Sequence, residues 1–265
     1  MTAPTSRRSL ILAQAALTLG VLIAWELGAA SGRLDPLFFS RPSAVIVRVG
    51  AWIGSGSLWP HVATTFAEAL LSFAIGSVLG VLFGMSLAGM PLAAALLEPY
   101  IRIGNALPRV VLAPIFLLWF GLGIWSKVAL GVTVVFFIVF FNTYRGIRDV
   151  EPGIVASARM LGASDLQLFR HVLVPSALTW IFSSLHISVG MAIVAVVVGE
   201  YLGASSGVGY LIAQSEGVFD TTGVFAAMAV LAIGVLLVGN VVGRLERRLL
   251  RWKPQQANAR LKTFA

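Results

Sequence analysis

The 265-residue chain contains no cysteine, which excludes disulfides, thiolate nucleophiles and Cys-ligated metals. Charge is almost as scarce, with Asp, Glu, Lys and Arg together making 11% of the residues. The three histidines, His61, His171 and His186, lack metal-ligand spacing with one another or with a carboxylate, and no HExxH occurs, so no metal site is expected. A phosphate-cradling loop needs Gly-Lys-Ser/Thr, yet Lys127, Lys253 and Lys262 follow Ser, Trp and Leu. No set of acid, base and nucleophile converges in the sequence, so a membrane-embedded enzyme has nothing to work with. Internal repeats and low-complexity segments are also missing.

What the chain does have is apolar surface. Hydrophobic residues make up 58% of it and the mean hydropathy is +0.92, more than a soluble domain can bury. The excess of 19 basic over 11 acidic residues is then read as membrane topology rather than nucleic-acid binding. After Arg7 and Arg8, the apolar run 9–27 reaches close to 30 Å at ~1.5 Å per residue, enough to cross. SRRSL resembles a twin-arginine export signal, with Ala29-Ala30 as a cleavage site, but signal cores run about 7–15 residues, so a retained span is expected. Residues 28–60 are mixed, and Val45, Val49 and Trp52 share one helical face, as in an interfacial helix. Further spans are predicted near 61–87, 94–121, 125–147, 176–200 and 223–243, about six in all. With the N-terminus inside, thirteen basic residues, from Arg7 and Arg8 through Arg145, Arg148, Arg159 and Arg170 to the C-terminal group, fall inside. Four, Arg33, Arg41, Arg48 and Lys127, fall outside.

Between two of these spans lies a polar, basic stretch, GIVASARMLGASDLQLFRHVLVP, residues 153–175. Ile154, Ala158 and Leu161 recur at helical spacing, Gly162 ends that turn, and Ser164 with Gln167 forms a capping box that opens a second short helix. Pro175 is expected to close it. Small residues Ala156, Ser157 and Ala158, ringed by Arg159, Arg170 and His171, allow another surface to approach. The stretch resembles the cytoplasmic signature loop of ABC importer permeases, E-A-A, three residues, Gly, nine residues, I-x-L-P. Ala156-Ser157-Ala158 stand for E-A-A, Gly162 follows after three residues, and Val172, Val174 and Pro175 stand for I, L and P. The glutamate is absent and the aliphatic positions are valine. From about Pro42 to Trp252 the chain is also similar to the nitrate, sulfonate, taurine and bicarbonate subgroup, in ALPRVVLAPIFLLWFGLG, FNTYRGIRDVEPG, GEYLGASSGVGYLI and LERRLLRW. Glu68 stands where that family usually has a basic residue.

The remaining candidates keep two readings each. Gly76, Gly80 and Gly84, continued by Ala88, form a small-residue stripe that serves static helix packing or a rocking interface. Pro99, Pro108 and Pro114 interrupt the third span, beside Asn105 and Arg109. Arg109 either holds an anionic substrate, or pairs with Glu98 or Glu68, or snorkels. Glu200 precedes a Gly/Ser turn and Tyr210 begins a short re-entry, which by resemblance is the outer gate, although a capped helix end has the same letters. Arg247, Arg248, Arg251 and Trp252 read as lipid-headgroup anchors.

The expected fold is all-α and polytopic, with about six transmembrane helices in the type I ABC importer permease arrangement that the resemblance implies. Residues 1–33 hold a cytoplasmic tail and the first span, 34–60 an external interfacial segment, 61–252 the permease core with its hairpin at 151–175, and 253–265 a cytoplasmic tail. The resemblance implies a non-catalytic subunit of a bacterial inner membrane importer with both termini cytoplasmic. It pairs with a second copy, two ABC ATPase subunits, a periplasmic or lipoprotein solute-binding protein and membrane lipid. No cofactor is expected, ATP being bound by the ATPase partner. The ATPase-coupling residues are Ala156, Ser157, Ala158, Arg159, Gly162, Ala163, Ser164 and Pro175. Asn105, Arg109, Glu200 and Tyr210 are the candidates for the substrate pathway or gate. The resemblance implies a small, mostly anionic solute. The competing expectation is an ion-coupled secondary transporter or channel, although the acidic residues cluster near span ends rather than at midplane.

Overall fold

A computed structural model describes residues 7–249. Every regular element among them is helical. The chain divides into two compact units, one made of residues up to Thr65 with Glu200–Ala232, the other of Phe66–Gly199 with the residues from Ile233 onward. Arg251, Trp252, Lys253, Arg260 and Lys262, and with them the expected C-terminal tail and most of the headgroup anchors, lie outside the described residues, as do the side chains of Arg247 and Arg248.

In the first unit, α1 (Arg7–Ala30) exposes its apolar length, and none of its spanning window is buried against the rest of the chain. Such a helix satisfies its own backbone and leaves its side chains to lipid. Its end is tied down: Trp25 Nε1 donates to Phe39 O at 3.1 Å, and the Trp25 ring packs on Phe225 at 5.2 Å. Glu26 accepts from the Ser43 N–H at 3.0 Å and the Ser43 hydroxyl at 2.8 Å, and so caps α3 (Pro42–Gly54), whose first residue is a proline preset for a helix start. The expected face of α3 turns inward, with Val45 buried and Trp52 packed on Leu58, Val208 and Leu211. The unit also holds the short turn α2 (Pro36–Phe39), the start of α4 (Leu58–Ala88), helix α11 (Val208–Gly217) and the start of α12 (Thr221–Leu249). Arg48 forms an ion pair with Asp220, which also receives the Gly223 N–H at 3.0 Å and caps α12.

The second unit is organised around α7 (Ile124–Arg148), which carries the longest set of buried positions. The glycine stripe of α4 lies directly against it. A Cβ at Gly76, Gly80 or Gly84 would meet the Cβ of Val135, Val139 and Thr143 at 2.7, 2.8 and 2.8 Å. Ser72 extends the seam by donating to Val128 O at 3.3 Å. Small residues every fourth position on one helix therefore receive every fourth side chain of the other, backbone close to backbone. Static packing is what the stripe does in this structure. Lys127, counted among the outer charges, is buried at the start of α7, and its ammonium donates to the carbonyls of Leu122 and Gly123.

Among the described residues, five helices are long and apolar enough to cross a membrane: Ser9–Ala30, Leu58–Ala88, Ile124–Arg148, Asp165–Leu202 and Thr221–Arg244. The expected third span is instead a pair, α5 (Pro91–Ala106) and the segment Arg109–Phe120, which turns 90° between them. The break comes at Leu107 and Pro108, while Pro99 lies within α5, so only one of the prolines ends a helix. The segment Arg109–Phe120 opens with a 3-10 turn, Arg109–Leu112, and continues as α6 (Ala113–Phe120), closed by Gly121 at φ 71°.

Candidate functional site

The 153–175 stretch folds into α8 (Pro152–Met160), a tight turn, and α9 (Asp165–Leu168). Gly162 has φ +84°, a conformation that costs any residue with a Cβ. The capping box forms as expected: the Gln167 N–H donates to Ser164 Oγ at 3.3 Å, and the Ser164 N–H donates to Gln167 Oε1 at 2.9 Å. Arg159 bridges the turn to Asp165 at 3.0 Å. This turn projects apolar side chains outward, with Met160 81%, Leu161 89% and Leu166 75% exposed. Ala156, Ser157 and Ala158 lie on α8, and Ala163 donates its N–H to Ala158 O at 3.1 Å.

Pro175 does not close the second helix. A π-helical segment, Phe169–Leu173, widens the turn, with the Val174 N–H donating to Phe169 O, and the chain runs on as α10 (Val174–Leu202). The wider turn accommodates a residue without an N–H, and the Ser176 hydroxyl covers the Val172 carbonyl at 2.7 Å. The second arm of the hairpin is thus the first part of a 38-residue helical run, Asp165–Leu202.

The break at Leu107 and Pro108 opens a cavity of about 460 Å³ in the second unit, against α7 and α10. Its walls are apolar side chains such as Leu130, Val134, Phe137 and Met191, and its polar groups are Asn105, Arg109 and Asn142. The Arg109 guanidinium donates to Asn105 O, Leu107 O and Asn105 Oδ1 at 2.5, 2.7 and 3.0 Å, and it stacks over the Phe137 ring at 4.6 Å. None of its partners is a carboxylate. The expected pairing with Glu98 or Glu68 is therefore not made, because the helix end freed by Pro108 offers nearer acceptors and Glu98 is held by Arg102 at 2.6 Å. A guanidinium has five N–H groups, so two remain for another acceptor. Sequence reading missed Phe137, Phe141 and Asn142. The period-four aromatic spacing of Phe137 and Phe141 on α7 was the available signal.

Glu200 and Tyr210 belong to the first unit, Asn105 and Arg109 to the second. Glu200 is 1% exposed and caps α11, accepting the Gly209 N–H and the Thr65 hydroxyl, each at 2.7 Å. Thr65 Oγ1 takes the Val208 N–H at 2.8 Å, and His61 Nδ1 takes the Gly207 N–H at 3.1 Å. Three successive amides at the start of α11 are so satisfied by side chains. Gly207, at φ +114°, leaves the space its Cβ would take to the Glu200 carboxylate. Tyr210 stacks on His61 with centroids 5.8 Å apart. No group of three or more metal-ligating side chains occurs among the described residues.

Residues 76–251 match the family described as binding-protein-dependent transport system inner membrane component. The chain belongs to that family. Over 234 residues it is 32% identical to the putative aliphatic sulfonates transport permease protein SsuC of Bacillus subtilis, covering 88% of this chain and 84% of the relative. It is 30% identical over 242 residues to the taurine transport system permease protein TauC of Escherichia coli, 89% of this chain and 88% of that one. The formylaminopyrimidine transport permease protein ThiX of Halalkalibacterium halodurans is 32% identical over 238 residues, 89% and 94%. Among solved structures, an inward-facing form of the MetNI methionine ABC transporter aligns with TM-score 0.57 at 21% identity, over 75% of this chain and 96% of that chain. An amino acid ABC transporter aligns with TM-score 0.59 at 18% identity, over 74% and 98%. The fold is that of type I ABC importer permeases, and the chain is a multi-pass inner membrane permease of an ABC importer. An ion-coupled secondary transporter or channel is not favoured.

Proposed function

We propose that this permease carries a small anionic solute of the sulfonate or taurine kind, past Arg109. The observation that carries this reading is the cavity at the α5 break, where Arg109 is the one charged wall residue among the described residues and keeps two N–H groups uncommitted. A sulfonate or carboxylate oxygen is the acceptor such a fork prefers. The apolar remainder of the wall takes a short carbon chain without binding it tightly, which a pathway requires.

The permease works as a homodimer embedded in lipid, with two ATPase subunits on the hairpin side and a solute-binding protein on the other. Both termini and the hairpin are cytoplasmic, in line with the basic residues clustered at those places. The chain itself catalyses nothing and holds no cofactor. ATP is bound and hydrolysed by the ATPase subunits, and the exposed Met160, Leu161 and Leu166 around Gly162 supply the apolar knob that sits in them. Arg159 and Ser164 hold the knob's shape through the Asp165 bridge and the capping box, and Ala163 through its N–H to the Ala158 carbonyl. Closure of the ATPase pair moves the hairpins, and α9 transmits that displacement because it continues into α10. The coupling exists only if the two permease states differ in affinity for their partners.

The test is transport of radiolabelled ethanesulfonate by the complex in proteoliposomes. Arg109→Gln is expected to lower the rate at least about tenfold, the loss of one charge-assisted hydrogen bond, while leaving assembly intact. Unchanged uptake in that variant removes Arg109 from the pathway. Gly162→Asp is expected to leave the permease in the membrane but remove ATP hydrolysis stimulated by the loaded binding protein, and normal stimulation would remove the hairpin from the coupling.

A further inference from the structure

The cavity at Arg109 has a neighbour. Asn105 and Phe141 also line a second cavity, of about 510 Å³, between α5 and the last turns of α7. The lining changes character across that partition. Where the first cavity has one charged residue, the second has five: Glu98, Arg102, Arg145, Arg148 and Asp149 all face it, with Tyr144 among them. Glu98 is committed to Arg102 at 2.6 Å. Arg148 donates to the Tyr144 hydroxyl at 2.8 Å and lies over its ring at 5.6 Å. Arg145 makes no side-chain hydrogen bond or ion pair among the described residues. With the Glu98 and Arg102 charges cancelling, Arg145 and Arg148 stand against Asp149, which leaves one net positive charge. The first cavity, with Arg109 alone, also carries one.

Basic residues in the last turn of α7 suit its negative helix end and the positive-inside tendency, and Arg145 and Arg148 are both exposed there. Neither consideration requires them to face a cavity that shares two wall residues with the Arg109 chamber. Two adjoining chambers of equal net charge, divided by an amide and an aromatic edge, allow a monoanion to move from one to the other without crossing a negative wall.

We propose that the second cavity is an exit-side anion site, in which Arg145, with Arg148 and Tyr144, receives the acid group of the solute after it leaves Arg109. The inference rests on the anionic-solute reading of the first cavity. The occupant is a monovalent oxyanion on a small organic body, a sulfonate or carboxylate. An acidic lipid headgroup presents similar oxygens, so the experiment separates the two sources.

The permease with its ATPase subunits is placed in nanodiscs of phosphatidylcholine, with and without phosphatidylglycerol, and equilibrium binding of radiolabelled ethanesulfonate is measured without nucleotide or binding protein. Two sites per permease chain are expected in both lipids. Arg109→Gln removes one of them. The double variant R145Q/R148Q raises the dissociation constant of the other by about tenfold or more, and R145K/R148K, which keeps the charge but not the fork, falls between. Retention of the ATPase subunits by each variant shows that it has folded. Two unchanged sites in R145Q/R148Q overturn the exit site and leave the Arg109 reading standing. Loss of the second site on adding phosphatidylglycerol assigns the arginines to lipid and overturns it likewise. No binding to the unmodified complex overturns both readings.

Discussion

Helix α7 has two faces that obey opposite rules. Toward α4 it presents Val135, Val139 and Thr143 to glycines, at distances that leave no room for a methyl group. Toward the break between α5 and the Arg109–Leu112 turn it presents Val134, Phe137 and Phe141 to an open cavity. In lipid the tails are as apolar as the side chains, so the hydrophobic effect cannot distinguish these faces. Close packing must. The first face gains dispersion contacts along its whole length, whereas the second forgoes them and leaves a cavity. One helix thus holds the second unit together on one side and lines the Arg109 cavity on the other.

The largest effect should come from filling the packed face. Gly80→Leu places a side chain where the Cβ alone would lie 2.8 Å from Val139 Cβ and 2.9 Å from the Phe136 carbonyl, neither of which is a flexible end. Overpacking of this kind costs about 1–3 kcal/mol or more, and the expected readout is loss of folded permease from detergent extracts with a fall in its melting temperature. A smaller effect comes from emptying the same face: Val139→Ala, at a site of 0% exposure, should cost about 1–2 kcal/mol through lost contacts. Val134→Ala, five residues earlier on the cavity face, should stay within about 0.5 kcal/mol. Equal melting temperatures for V139A and V134A would erase the distinction between the faces.

That distinction was half legible in the sequence. A stripe of glycines every fourth residue announces a close helix approach, because the signal lies on one helix and repeats. The hairpin was legible for a similar reason: Gly162, Ser164 and Gln167 act within one turn of chain, and their backbone geometry follows from local sterics and capping. Pro175 misled because a proline's meaning depends on the turn that receives it. The π-helical segment Phe169–Leu173 takes it up without ending the helix, and nothing in FRHVL marks such a segment.

The cavity was harder to read. Arg109 stood out as an ionisable residue in an apolar span, yet its partners turned out to be backbone carbonyls exposed by the break at Pro108, which exist only once the chain has bent. Glu200 was read as a gate or a cap from the same letters. In the structure it caps α11, accepting from the Gly209 N–H and from Thr65, 135 positions away, while His61 takes the neighbouring Gly207 N–H, as only folding could show.

The smallest predicted effect tests how the open face serves Arg109. Phe137 lies under the guanidinium at 4.6 Å, and the two residues are neighbours only because the chain bends at Leu107. Replacing Phe137 with Leu keeps the apolar wall and much of its volume but removes the ring's electron density, worth about 0.5–1 kcal/mol at a partly wet site. Arg109 keeps its carbonyl anchors in that variant, so the melting temperature should barely move. The guanidinium is held less firmly in plane, however, and its two uncommitted N–H groups are less well aimed. A rise of about two- to fivefold in the ethanesulfonate concentration that half-saturates transport is therefore expected. Phe137→Tyr, which retains the ring face, should restore it. If Leu and Tyr behave alike, the ring acts only as wall, and Arg109 is positioned by the bent backbone alone.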